Sequence, residues 1–211
     1  MALLKTFAIP DGILLVWELS EPANVLAGMI PGALTDPGFK NITSPKRQQE
    51  WLSIRALLLE AGCTPEQLSY RATGEPRIHH PDYQWISISH SDRLAGVLLH
   101  KKHPVGIDIE NAHRNFKRVA GKYLSPEEKS LAGSFADGYG LFWCIKEAAY
   151  KAARTPGIHF AEQIRIERDA GNRLTVGLSV VNKPAFGLHY FRMDEQLIAY
   201  VIANHNEQKT F

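Results

Sequence analysis

Two stretches decide how this chain folds: Val105-Gly106-Ile107-Asp108-Ile109-Glu110 and Trp143-Cys144-Ile145-Lys146-Glu147-Ala148-Ala149-Tyr150-Lys151-Ala152. In the first, Val105, Ile107 and Ile109 alternate with Gly106, Asp108 and Glu110, the period of a β-strand. That period sets both acids on one face and the branched apolar side chains on the other. The second is rich in Ala, Lys and Glu and reads as a helix. Glu147 and Lys151, four apart, share one face of it. Three carboxylates with a lysine beside them suit a hard cation that holds a phosphate ester. Each acid alone has an ordinary explanation. Asp108 and Glu110 could be the solvated face of an edge strand, and Glu147 a helix-surface residue paired with Lys151.

Outward from these stretches the chain alternates helix and strand signals. Leu3 to Ile9 and Gly12 to Glu18 read as strands about a Pro-Asp-Gly turn. Pro22 to Thr43, punctuated by Pro31, Gly32, Pro37 and Gly38, reads as a short helix and loop. Ser44-Pro45 opens a helix to about Ala61, with an N-cap and a proline at the first position. Trp51, Ile54, Leu58 and Ala61 form its apolar stripe, and Gly62 stops it. Leu68 to Arg71, Trp85 to Ser89 and Leu94 to His100 read as strands, with a turn at Thr73 to Pro76. Asn115 to Tyr123 and Ser125 to Phe135 read as helical, the latter opened by a capping box. Gln163 to Arg168 and Leu174 to Val180 flank a hairpin turn at Asp169 to Asn172. Gly187 to Met193 and Leu197 to Ala203 make a second hairpin, and the polar tail from Asn204 is expected to fray. The order predicts an α+β protein with helix-then-strands halves divided near residue 104.

The 211 residues carry 24 Lys and Arg against 22 Asp and Glu, a net charge of +2. That balance gives no argument for a nucleic-acid partner, although a local basic patch for an anion remains open. No run of about 18 apolar residues is present, so no membrane span is expected. No secretory signal is read at the N-terminus. Cys63 and Cys144 are the only cysteines, too few for a disulfide framework, and a reducing, cytoplasmic setting is the simpler expectation.

The two opening stretches resemble the signature motifs of the 4′-phosphopantetheinyl transferase superfamily, G-[IV]-D-x-E followed after a few dozen residues by W-x-x-K-E-[AS]-x-x-K. Every fixed position is present and in order. The length suggests the Sfp-type branch, whose resemblance implies two pseudo-two-fold-related α+β halves with the active site between them, and a monomer. Residues 1–104 would carry coenzyme A nucleotide contacts, and residues 105–211 the metal site and the lysine-bearing helix. The implied reaction is Mg²⁺-dependent transfer of the 4′-phosphopantetheine arm of coenzyme A to a serine of an apo acyl or peptidyl carrier protein. Adenosine 3′,5′-bisphosphate leaves. Two other classes stay open: a metal-dependent phosphohydrolase using the same acids with water, and a non-catalytic carrier-binding module.

The resemblance assigns the residues as follows. Asp108, Glu110 and Glu147 bind Mg²⁺, and Glu147 also takes the serine proton, directly or through a metal-bound water. Lys146 and Lys151 contact phosphate oxygens, Lys151 within the catalytic group. Trp85-Ile86-Ser87-Ile88-Ser89-His90-Ser91 resembles the family's F-N-I-S-H-S segment, which places Ser89 and His90 at a coenzyme A phosphate. Arg55, and more loosely Lys46 and Arg47, match basic residues that grip the 3′-phosphate. Surface charge is the ordinary alternative for each. Phe116, Lys117, Tyr123 and Leu124 fall where carrier contact is expected. Trp143 and Tyr150 read as core, and Cys144 has no partner that would make it a nucleophile. One position departs from the pattern: Gly74-Glu75-Pro76-Arg77 stands where Gly-Lys-Pro is frequent, so Arg77 or Arg71 would replace the lysine.

Overall fold

The computed structural model describes residues 5–179 and 185–204. Leu3, Leu4, Val180 and the tail after Asn204, each part of an expectation above, lie outside the described residues. The chain divides into two compact units, Met1–Lys102 and His103–Phe211. Each combines helices with antiparallel strands, which makes the protein α+β.

In the first unit, β1 (Lys5–Ile9) and β2 (Gly12–Glu18) join through a two-residue turn in which Asp11 takes a left-handed φ of 54°. The Pro22 to Thr43 stretch is more helical than its prolines suggest. It holds α1 (Ala23–Met29), a 3₁₀ turn and α2 (Pro37–Lys40), whose N-cap Asp36 accepts from the Gly38 and Phe39 amides. Next comes α3 (Pro45–Glu60), capped by Ser44 and ended before Gly62, whose φ of 76° few other residues adopt at low cost. A small hairpin, β3 (Leu68–Tyr70) with β4 (Pro76–Ile78), precedes β5 (Trp85–His90) and β6 (Leu94–His100). The sheet runs in the order β1-β2-β6-β5. Leu52, Ile54, Leu57 and Leu58 of α3 pack with Leu15, Trp17, Ile86, Val97 and Leu99 of the sheet into one core.

The second unit opens with β7 (Val105–Asn111), the edge of a three-stranded sheet ordered β10-β11-β7. A 3₁₀ helix over Phe116–Lys122 leads to α4 (Pro126–Ala132), where Ser125 and Glu128 form the anticipated capping box. Then follow α5 (Gly138–Ala153), α6 (Phe160–Gln163), the hairpin β8 (Ile164–Arg168) with β9 (Leu174–Leu178), and the longer hairpin β10 (Ala185–Met193) with β11 (Gln196–Asn204). Helix α5 packs on β7 at backbone range. A Cβ added to Gly106 would stand 1.9 Å from the Ala148 carbonyl oxygen and 2.8 Å from the Ala152 nitrogen. Glycine at the head of the strand motif therefore lets helix and strand meet. Phe142, Ile145, Ala149, Ile164, Ile166 and Val201 fill the core.

Candidate active site

Although β7 is an edge strand, every residue from Val105 to Glu110 is buried. Asp108 is 6% and Glu110 9% exposed, so the two acids are not a solvated face. Burying carboxylates is costly unless charge and hydrogen bonds compensate, and α5 supplies much of both. Trp143, Glu147 and Lys151 recur every four residues, which makes one stripe along that helix. Trp143 Nε1 donates to Glu110 Oε1 at 2.8 Å. Lys151 Nζ donates to Asp108 Oδ1 at 2.7 Å and to the Ile107 carbonyl at 2.8 Å. A second cation comes from the turn after β7, where the Arg114 guanidinium pairs with Glu110 Oε2. Trp143, read from sequence as core, also packs on Phe116, Tyr123 and Phe160, so it serves core and site together.

Glu147 lies among these charges. Burial, then the Asp108 carboxylate and, less strongly, Glu110, push its carboxyl from an ordinary 4.5 up to about 7, against the pull of Lys151. Burial and Asp108 also raise Glu110, opposed by Arg114 and Trp143. A carboxyl that titrates near neutrality between two other acids has the properties of a general base. Among the described residues, no group of three or more His, Cys, Asp and Glu side chains is already arranged to hold a metal ion. The donor chemistry nevertheless suits one. The set is all oxygen, hard and mutually repulsive, and a divalent cation would relieve that repulsion.

Lys146 sits elsewhere. It is 0% exposed, and its Nζ donates to Glu128 Oε2 at 2.7 Å and to the Phe160 carbonyl at 2.8 Å. Glu128 also accepts from the Ser125 and Ile166 amides, so the α4 cap, α5 and β8 meet on one buried ion pair. Position 146 falls off the 143–147–151 stripe, so Lys146, expected to contact phosphate, instead meets Glu128 in the interior. Cys144 Sγ donates to the Asp108 carbonyl at 3.1 Å, and burial pushes its thiol well up, which leaves it inert. Phe116, Tyr123 and Leu124 are core residues. The exposed members of that segment are Lys117, Arg118, Val119, Gly121 and Lys122, which corrects three of the four positions expected to meet a carrier.

The remaining candidates belong to the first unit. Arg55 is an interior residue, 7% exposed. Its guanidinium lies 3.2 Å over the Trp51 ring and donates to the Trp51 carbonyl, and its Nε has no hydrogen-bond partner. Burial lowers its pKa, and surface charge does not explain it. Lys46 and Arg47 are exposed on the first turn of α3. Ser89 is buried, and the half-exposed His90 ring has Nδ1 3.5 Å from Glu50 Oε1. Arg71 pairs with Glu75 at 3.6 Å, while Arg77 is exposed on β4 opposite Ser69. Sequence reasoning missed Arg114 and the second role of Trp143. The Glu110–Arg114 spacing and the motif tryptophan were the available signals.

Residues 104–203 fit the family model described as the 4′-phosphopantetheinyl transferase superfamily. The superfamily resemblance carried by the two motifs is thereby borne out over the second unit. Among solved structures, the chain is similar to Helicobacter pylori holo-(acyl-carrier-protein) synthase in complex with coenzyme A, at 23% identity and TM-score 0.43, over 47% of this chain and 99% of that one. It is also similar to the Thermotoga maritima synthase, at 18% identity and TM-score 0.40, over 49% of this chain and 64% of that one. The Mycobacterium tuberculosis acyl carrier protein synthase matches at 24% identity and TM-score 0.40, over 48% of this chain and 96% of that one. No curated protein matches the sequence. Among the described residues, no helix is long and apolar enough to cross a membrane.

Proposed function

We propose that this protein is an Sfp-type 4′-phosphopantetheinyl transferase, monomeric and cytoplasmic, that moves the phosphopantetheine arm of coenzyme A onto a serine of an apo carrier protein. The observation that carries this reading is the cluster of buried Asp108 and Glu110 with half-buried Glu147, and Lys151 bonded to Asp108 beside it. In the proposed step the carrier serine oxygen bonds to the β-phosphorus of coenzyme A. The bond from that phosphorus to the bridging oxygen breaks, and adenosine 3′,5′-bisphosphate leaves with the electron pair. Glu147 accepts the serine proton. Lys151 brings positive charge beside Asp108, where the diphosphate would lie. Asp108, Glu110 and Glu147 would hold Mg²⁺, which when bound offsets charge on the phosphate oxygens.

For the nucleotide end, the proposal assigns Arg55, Ser89 and His90 of the first unit to coenzyme A phosphates, with Arg47 and Lys46 as secondary contacts. Replacement of Arg55 by Ala is expected to raise KM for coenzyme A about tenfold while kcat changes less. Discrimination against 3′-dephospho-coenzyme A should fall with it. Equal discrimination by both proteins would clear Arg55 of that role. The basic Lys117, Arg118 and Lys122 around exposed Val119 suit an acidic carrier surface.

Incubation with coenzyme A, Mg²⁺ and a panel of apo carriers, read by intact-mass spectrometry, tests the whole reading. A carrier that gains the mass of the arm supports it. Coenzyme A breakdown with no carrier modified would favour a phosphohydrolase.

A further inference from the structure

We propose that Arg114 is a tethered counter-ion that a divalent cation must displace from Glu110. The inference rests on the metal reading above and starts from how Glu110 is held. Both of its carboxylate oxygens are engaged, Oε1 by the Trp143 indole and Oε2 by the Arg114 guanidinium. Asp108 is held at Oδ1 by Lys151. Side-chain cations of the chain itself therefore stand where a metal's charge would act.

The two cations are not equivalent. Lys151 grows from α5, bonds a strand carbonyl as well as Asp108, and is 29% exposed. Arg114 sits on a turn and its side chain is 60% exposed. That turn is built to bring it back. Asn111 Oδ1 accepts from the His113 amide, the Arg114 amide donates to the Asn111 carbonyl, and the Arg114 carbonyl accepts from Phe116. The guanidinium then lies 4.9 Å over the Phe116 ring. An exposed arginine regains water when it leaves, so its release costs little. The indole bond to Glu110 can persist meanwhile and keep the carboxylate aimed. Arg114 is thus the removable counter-charge. It neutralises Glu110 while no metal is bound and weakens metal affinity by the work of displacing it.

The test is Mn²⁺ binding without coenzyme A, by calorimetry or by the electron-spin signal of free Mn²⁺. Wild type is compared with Arg114→Ala, Arg118→Ala and Glu110→Gln. Arg118 carries the same charge on the exposed 3₁₀ helix four residues on, while Glu110 pairs with Arg114, so the Arg118 variant controls for net charge. Arg114→Ala is expected to bind Mn²⁺ about three- to fivefold more tightly, Arg118→Ala within about twofold of wild type, and Glu110→Gln far more weakly. Unchanged or weaker binding by Arg114→Ala, or an equal gain in Arg118→Ala, overturns the inference and leaves the metal reading standing. Failure of both wild type and Arg114→Ala to bind Mn²⁺ overturns the two together.

Discussion

At the scale of the residue, Glu147 decides most. A folded-state carboxyl near 7 against an ordinary 4.5 means the folded chain binds more protons than the unfolded chain between those values. Stability contributed by this group is therefore full below about pH 4.5 and is lost as pH rises toward 7. Glu147→Gln removes this half-buried charge. In metal-free buffer near pH 8 it is expected to stabilise the fold by roughly 1–2 kcal/mol, with the gain fading toward pH 4.5. Thermal unfolding across that range checks the sign. Unchanged stability at both ends would mean the carboxyl is not strained by its neighbours. The same variant should lose transfer by a hundredfold or more, since a glutamine cannot take the serine proton. A residue can thus be costly to the fold because it is useful to the reaction, and the opposite sign of these two effects separates that role from a structural one.

At the scale of the element, the pairing of β7 with α5 makes the site. Gly106 brings the helix against the strand, and the stripe of Trp143, Glu147 and Lys151, spaced four apart, faces the acids. Gly106→Ala would drive a methyl group into the Ala148 carbonyl, and a destabilisation of about 3 kcal/mol or more is expected in urea unfolding. A loss under about 1 kcal/mol would show that helix and strand can part without harm. Much of this was legible beforehand. The alternation in β7, the helix motif and the capping box at Ser125 are local patterns, and local patterns reveal strands, helices and caps. Burial was not legible, because an edge strand with two acids reads as wet until something covers it. Lys146 shows the same limit. Beside Glu147 in sequence, it sits on another helical face and spends its charge on Glu128, a partner eighteen residues away that no spacing rule connects. Phe116, Tyr123 and Leu124 likewise gave no sign in sequence of facing inward.

At the scale of the whole molecule, each unit has its own core, and charge is nearly balanced. Attraction for an acidic partner must come from a local patch, and Lys117 and Lys122 are exposed members of one. The pair Lys117→Glu and Lys122→Glu is expected to raise KM for an acidic carrier about tenfold while KM for coenzyme A stays within about twofold. An equal rise in both constants, measured by mass spectrometry of the product, would place those lysines outside carrier docking. The positions of the two cysteines carry a further consequence. Cys63 is sealed in the first core, where burial pushes its thiol up to about 11, and Cys144 is sealed in the second. Neither should react with iodoacetamide in the native protein, yet each becomes alkylatable when its surroundings melt. Pulsed labelling along a denaturant gradient, with peptide mapping, would clock the opening of the two units separately, without any engineered probe. Rapid labelling of either thiol under native conditions would contradict the packing described around it.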